Sequence, residues 1–148
     1  MNKIGKSIDT ELHNRDFNLW LEQISIAIKN RDTKNMDWEG LLEEIEDMTA
    51  SQKRALRSYT KRLIEHILKL QYWHSEKEYN QKHWRKEVVN FRDSVNEILQ
   101  DSPSLNNYLK ENYQSWFNKS VKGMRQEINI SEDNFIPLEN IMDENFFG

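Results

Sequence analysis

Chemistry in this chain would start from one acidic run and one histidine. Glu43, Glu44, Glu46 and Asp47 lie almost side by side, and on a helix Glu43 and Glu46, three apart, share a face. His66 comes one helix later, with Lys69 three residues beyond it. If the helices that carry them pack antiparallel, two carboxylates and an imidazole would meet. Such a donor set can hold a divalent ion, and Lys69 beside it could assist phosphate chemistry. The simpler readings are a buried His–Glu hydrogen bond or a solvated acidic face, with Lys69 in an ion pair to Glu43 or Glu46. The Glu-x-x-His pair usual in helical carboxylate sites is absent. No metal is therefore expected, and Glu43, Glu46, His66 and Lys69 stand as a candidate functional cluster with no reaction assigned.

A second constellation is basic. Lys53, Arg57 and Lys61 recur every four residues, one stripe of a helix, and Arg54, Arg62 and Lys69 add to it against Glu65 alone. Tyr72, Trp73, His83, Trp84 and Arg85 place aromatics and cations nearby. Lys53, Arg57 and Lys61 are the candidate phosphate-contacting residues of a groove that tracks a backbone and stacks its bases. The competing reading is a solvated face, or one neutralised by the acidic second helix or the tail. The net charge of −4 weighs against a nucleic-acid binder.

The residue inventory removes other chemistries. With no cysteine, disulfides, thiolate zinc, iron–sulfur clusters and thiol catalysis are excluded, and a reducing compartment is the simplest setting. There is no glycine-rich phosphate loop, Gly-x-Ser-x-Gly elbow or His-Glu-x-x-His pair. No catalytic residue and no cofactor are assigned, so the chain reads as a non-enzymatic protein. The first nine residues carry two lysines but no apolar stretch of a secretory leader. Apolar runs stop at about three residues, as in Leu19-Trp20-Leu21, where a spanning helix needs about twenty. A cytoplasmic protein off the membrane is expected.

The elements that must position these groups are helices. Four glycines and two prolines in 148 residues are too few for the turns of a sandwich or barrel, and no internal repeat or second domain is evident. Residues 1–12 read as frayed or loosely docked. Phe17, Trp20, Leu21, Ile24 and Ile28 fall on one face of a first helix, which Asn30 to Asn35 interrupts. Asp37 is a good N-cap for a second helix over about 38–48, burying Trp38, Leu41, Leu42, Ile45 and Met48. Thr49-Ala50-Ser51 reads as a kink or short loop. A third helix follows to about Trp73 through Leu56, Tyr59, Leu63, Ile67 and Leu70. His74 to Gln81, polar throughout, reads as a loop. Trp84, Val88, Phe91, Val95 and Ile98 form the seam of a fourth helix. Ser102 and Pro103 signal the start of a fifth, which runs through Leu105, Leu109, Tyr113, Trp116, Val121 and Met124. The tail, 127–148, has six acidic residues and no Lys or Arg, yet its apolar load predicts docking, with a short helix near 138–143. The expected fold is thus a single all-α domain, 1–148, of about five main helices, the third to fifth long and antiparallel.

The ordered set Asp16-Phe17, Trp20-Leu21, Asp37-Trp38, Leu41, Glu43-Glu44-Ile45-Glu46, His66-Ile67-Leu68-Lys69, Gln71-Tyr72, Trp84, Arg92 and Ser102-Pro103-Ser104-Leu105 resembles the bacterial domain-of-unknown-function family twenty-nine (DUF29), common in cyanobacteria. The resemblance covers most of residues 16–125. It implies an all-helical fold and a bacterial source, and no activity. The chain departs from the family pattern at Gly40, where Asn is usual, at Leu70, where Trp is usual, and at Trp73-His74, which replaces Gln-Pro. Phe135-Ile136-Pro137 stands in the region of a missing Cys-Pro-Tyr. Together these readings favour a helical interaction or adaptor protein with a protein partner or as a homo-oligomer. The alternative is a nucleic-acid-associated protein or metal-dependent nuclease built on the basic stripe and the Glu43/Glu46/His66 cluster.

Overall fold

Polar capping, rather than hydrophobic pattern, sets where the first long helices begin. The computed structural model describes residues 8–148. There the chain is all-α: α1 (Leu12–Arg15), α2 (Phe17–Lys29), α3 (Trp38–Tyr72), α4 (His74–Asp101), α5 (Leu105–Met124) and α6 (Leu138–Ile141). Asp16 caps α2 by accepting from the Leu19 amide at 3.0 Å. Asp37 caps α3 by accepting from the Gly40 amide, also at 3.0 Å, which satisfies a first-turn donor that has no partner inside the helix. The end of α2 is a Schellman turn: Asp32 N–H donates to the Ala27 carbonyl and Arg31 N–H to Ile28. Arg31 takes the left-handed position, φ 53°, where glycine is commoner.

The backbone gathers into two compact units divided between Ser51 and Gln52, inside α3. In the first, Leu12, Trp20 and Ile24 are buried together, with Ile8, Met36 and Leu41 packed against them. Residues 8–12 are therefore tied down: Ile8 N–H donates to the Asn35 carbonyl and Leu12 is buried. The expected fraying of residues 1–7 lies outside the described residues.

The second unit is an antiparallel three-helix arrangement. The rings of Trp73 and Trp84, and of His66 and Phe91, pair across α3 and α4 in opposite chain order. Leu56 meets Val95, Leu105, Leu109 and Trp116 in one cluster, and Leu63, Ile67, Val88, Tyr113 and Phe117 lie in another. These are the periodic positions of the third, fourth and fifth helices expected from the sequence. The tail contributes Ile128, Ile130, Ile136 and Ile141 to the larger cluster.

Three local expectations are corrected. Thr49-Ala50-Ser51 is neither kink nor loop: α3 is one helix of 35 residues, and Thr49 keeps its hydroxyl satisfied on the Ile45 carbonyl. His74 to Gln81 is the first part of α4, not a loop. Helix α5 begins at Leu105, after a turn at Ser102 to Ser104, with no side-chain cap.

Candidate functional site

The acidic run and His66 are both carried by α3. Glu43 belongs to the first unit and His66 to the second. His66 directs Nδ1 at the carbonyl of Arg62, 2.8 Å away on its own helix, and its ring lies 5.3 Å from that of Phe91. Burial pushes the His66 pKa below the ordinary 6.5. The Arg62 carbonyl opposes that shift, Lys69 adds to it, Glu87 opposes it and His83 adds to it. Lys69 places Nζ over the Trp84 ring at 5.9 Å. Among the described residues no group of three His, Asp or Glu side chains is arranged to hold a metal ion.

The basic stripe is only partly free. Arg54, Arg57 and Arg62 are exposed, but Lys53 and Lys61 are half-buried, and Lys53 sits over the Tyr108 ring at 5.1 Å. Trp84 is buried as the seam requires, and Trp73 is half-buried at the α3–α4 junction.

The His–carboxylate contact exists elsewhere, on a residue the sequence reading passed over. His13 of α1 is buried, with Nε2 2.6 Å from Glu44 Oε2 and Nδ1 3.8 Å from Glu43 Oε2. Its ring packs on Trp20 at 4.4 Å. Trp20 donates its indole N–H to Asp37 Oδ2 at 2.9 Å while the other Asp37 oxygen caps α3. The group joins α1, α2 and α3 through polar bonds inside a small apolar core. His13 has its ring covered on one side by Trp20 and its nitrogens turned to carboxylates, so it presents no free face to a substrate. Its only signal in the sequence was a histidine beside Leu12 in a stretch that lacked periodicity.

The surface of the same unit carries the more informative feature. On α2 the buried residues are Trp20, Ile24 and Ala27, whereas Phe17, Leu21 and Ile28, expected on the core face, are exposed. On α3 the correction is larger. Trp38, Leu42, Ile45 and Met48, expected in the core, are 55%, 57%, 52% and 66% exposed. The inward side of these turns holds Asp37, Gly40, Leu41 and Glu44 instead. A Cβ on Gly40 would lie 2.4 Å from Asp37 Oδ2 and 3.1 Å from the Trp20 ring, so this face admits the helix only where it lacks a side chain. Of the twelve large apolar side chains exposed among the described residues, nine fall between Phe17 and Met48.

Two surface depressions lie in the second unit. One is lined by Gln114, Ser115, Asn118, Lys119 and Lys122 of α5. The other is lined by Tyr72 to Ser75 and Glu127 to Asn129. Neither joins a nucleophile to a base by a hydrogen bond.

No helix of the described residues is long and apolar enough to cross a membrane. Neither a curated protein nor a solved structure matches the chain. The family model described as domain of unknown function DUF29 matches residues 12–147, a span that opens at Leu12 and takes in both helical units and nearly all of the tail. The chain belongs to the DUF29 family.

Proposed function

We propose that the protein is a non-enzymatic helical interaction module that engages a protein partner through the apolar surface of α2 and the first turns of α3. The observation that carries this reading is the crowding of exposed apolar side chains into the first unit, nine of twelve. Singly exposed apolar residues need no explanation, but contiguous exposed apolar surface is a mark of association. The alternative of a metal-dependent nuclease has less support, since His66 spends Nδ1 on the Arg62 carbonyl of its own helix. A reducing, cytoplasmic setting suits a chain without cysteine.

Site-specific photocross-linking in the source cell tests the reading. A benzophenone amino acid at Leu42 should yield an adduct of discrete mass, and the same group at the exposed polar position Gln114 should not. Equal yields at both positions, or none at Leu42, would overturn it.

A further inference from the structure

We propose that the first three turns of α3 form a docking stripe for a basic amphipathic helix of a partner protein, an inference that rests on the interaction-module reading. Trp38, Leu42, Ile45 and Met48 recur at four, three and three residues, all more than half exposed. At 1.5 Å per residue they cover about 15 Å of helix, the length of a three-turn partner with its own apolar row.

The charge beside the stripe selects the partner. Glu39, Glu43 and Glu46 recur at four and three residues, one step round the helix from the apolar row, and all are exposed. No Lys or Arg occurs between Lys34 and Lys53. Among the described residues the three carboxylates make no ion pair with Lys or Arg, and Glu43 alone approaches a cationic candidate, His13 at 3.8 Å. A row of carboxylates along one edge of an apolar stripe is the complement of Lys or Arg flanking the apolar face of a second helix, as at the edges of coiled-coil seams. The same row rules against self-association through this face. A two-fold interface places a surface patch against its own copy, and the copy brings carboxylates and no cation. Nucleic acid and anionic lipid are repelled by the same edge.

The test uses the full chain and three designed peptides: an amphipathic Leu/Lys helix, the same pattern with Glu for Lys, and a scrambled Leu/Lys sequence. Anisotropy titrations should show saturable binding of the Leu/Lys helix. Its affinity should weaken about tenfold from low to high salt as the charges are screened. The Leu/Glu helix should not bind, and the scrambled peptide should bind at least about tenfold more weakly, since its apolar row is lost. Leu42→Ser with Ile45→Ser, both on the surface, should weaken the Leu/Lys helix about tenfold or more. Glu39→Gln, Glu43→Gln and Glu46→Gln together should weaken it and flatten its salt dependence. Equal binding of the Lys and Glu helices, indifference to either variant set, or a dimer of the chain that Leu42→Ser dissociates would each overturn the proposal. A discrete cross-link at Leu42 without peptide binding removes the basic-helix assignment and leaves the interaction reading standing. Loss of the cross-link removes that reading itself.

Discussion

Asp37 shows how much one side chain can settle. One oxygen starts α3 by capping Gly40, and the other receives the buried indole of Trp20. Gly40 costs helix propensity, roughly 1 kcal/mol against alanine, but a methyl there would collide with that same carboxylate. A glycine at position 40 thus has a local reason in this chain. His66 is a residue whose protonation the fold alters near neutral pH. Its pKa is held below 6.5, first by burial, so the unfolded chain takes up its proton before the folded one does. The sign follows: stability is full above about pH 6.5 and is lost progressively as pH falls from there towards the folded-state pKa. His66→Gln keeps a side-chain donor for the Arg62 carbonyl and has no proton to gain. Its stability, measured by urea denaturation across a pH series, should fall less steeply than wild type between about pH 7 and 5. Identical slopes would show that the ring titrates in the fold as it does in the open chain. At this scale the sequence was legible for Asp37, a capping residue before an apolar run. It was silent on His13, whose partners Glu43 and Glu44 lie some thirty residues away and are chosen by packing.

Among the elements, the tail is held by bonds that its own composition does not announce. Arg92 of α4 is buried, and its guanidinium donates to the carbonyls of Ile141 at 2.9 Å, Glu144 at 3.4 Å and Phe146 at 2.7 Å. Burial lowers its pKa, and Asp143, Asp93 and Glu144 oppose that shift. The Tyr113 hydroxyl donates to the Ile136 carbonyl, and Arg85 lies 3.9 Å over the Phe147 ring. A lysine at position 92 would keep the charge but not the planar fork, with a loss of roughly 1.5–3 kcal/mol for each bond it fails to make. Arg92→Lys should therefore loosen the tail first. Chymotrypsin should cut beside Phe135 and Phe146 faster than in wild type while α5 stays protected, and unchanged cutting would mean that apolar burial alone holds the segment. Helix identity was legible wherever an apolar seam met a core, as with Val88 and Val95 on α4. The breaks were not, because polar stretches without Gly or Pro, such as Thr49 to Ser51 and His74 to Gln81, satisfy their backbone in a helix as readily as in a loop. The apolar row of Trp38, Leu42 and Ile45 misled in the opposite way. Periodicity identifies a face, and only the neighbouring elements decide whether that face looks inward.

Across the whole molecule, burial is unevenly distributed. The second unit carries two apolar clusters fed by α3, α4, α5 and the tail, whereas the first rests on Leu12, Trp20 and Ile24. Each fully buried aliphatic or aromatic side chain contributes about 1.5–3 kcal/mol, and segments with few such contacts open locally at lower free energy than the rest. Helix α3 makes the contrast measurable, because it contributes residues to both units. Between Trp38 and Ser51 only Gly40 is buried, while Leu63, Ile64, Ile67 and Leu68 are at 0% exposure. If hydrogen bonding set stability, protection would be uniform along the helix. If packing sets it, amide exchange should be slowest at Leu63 to Leu68 and at least about tenfold faster near Leu42, a difference of roughly 1.4 kcal/mol or more in opening free energy. The amides of α2 should follow the fast end. Bound Leu/Lys helix should then slow exchange near Leu42 and leave Leu63 to Leu68 unchanged, since a ligand stabilises the state to which it binds. Uniform protection along α3 in the free chain would mean that the two units open together, and that the exposed face of the first unit is no softer than the core of the second.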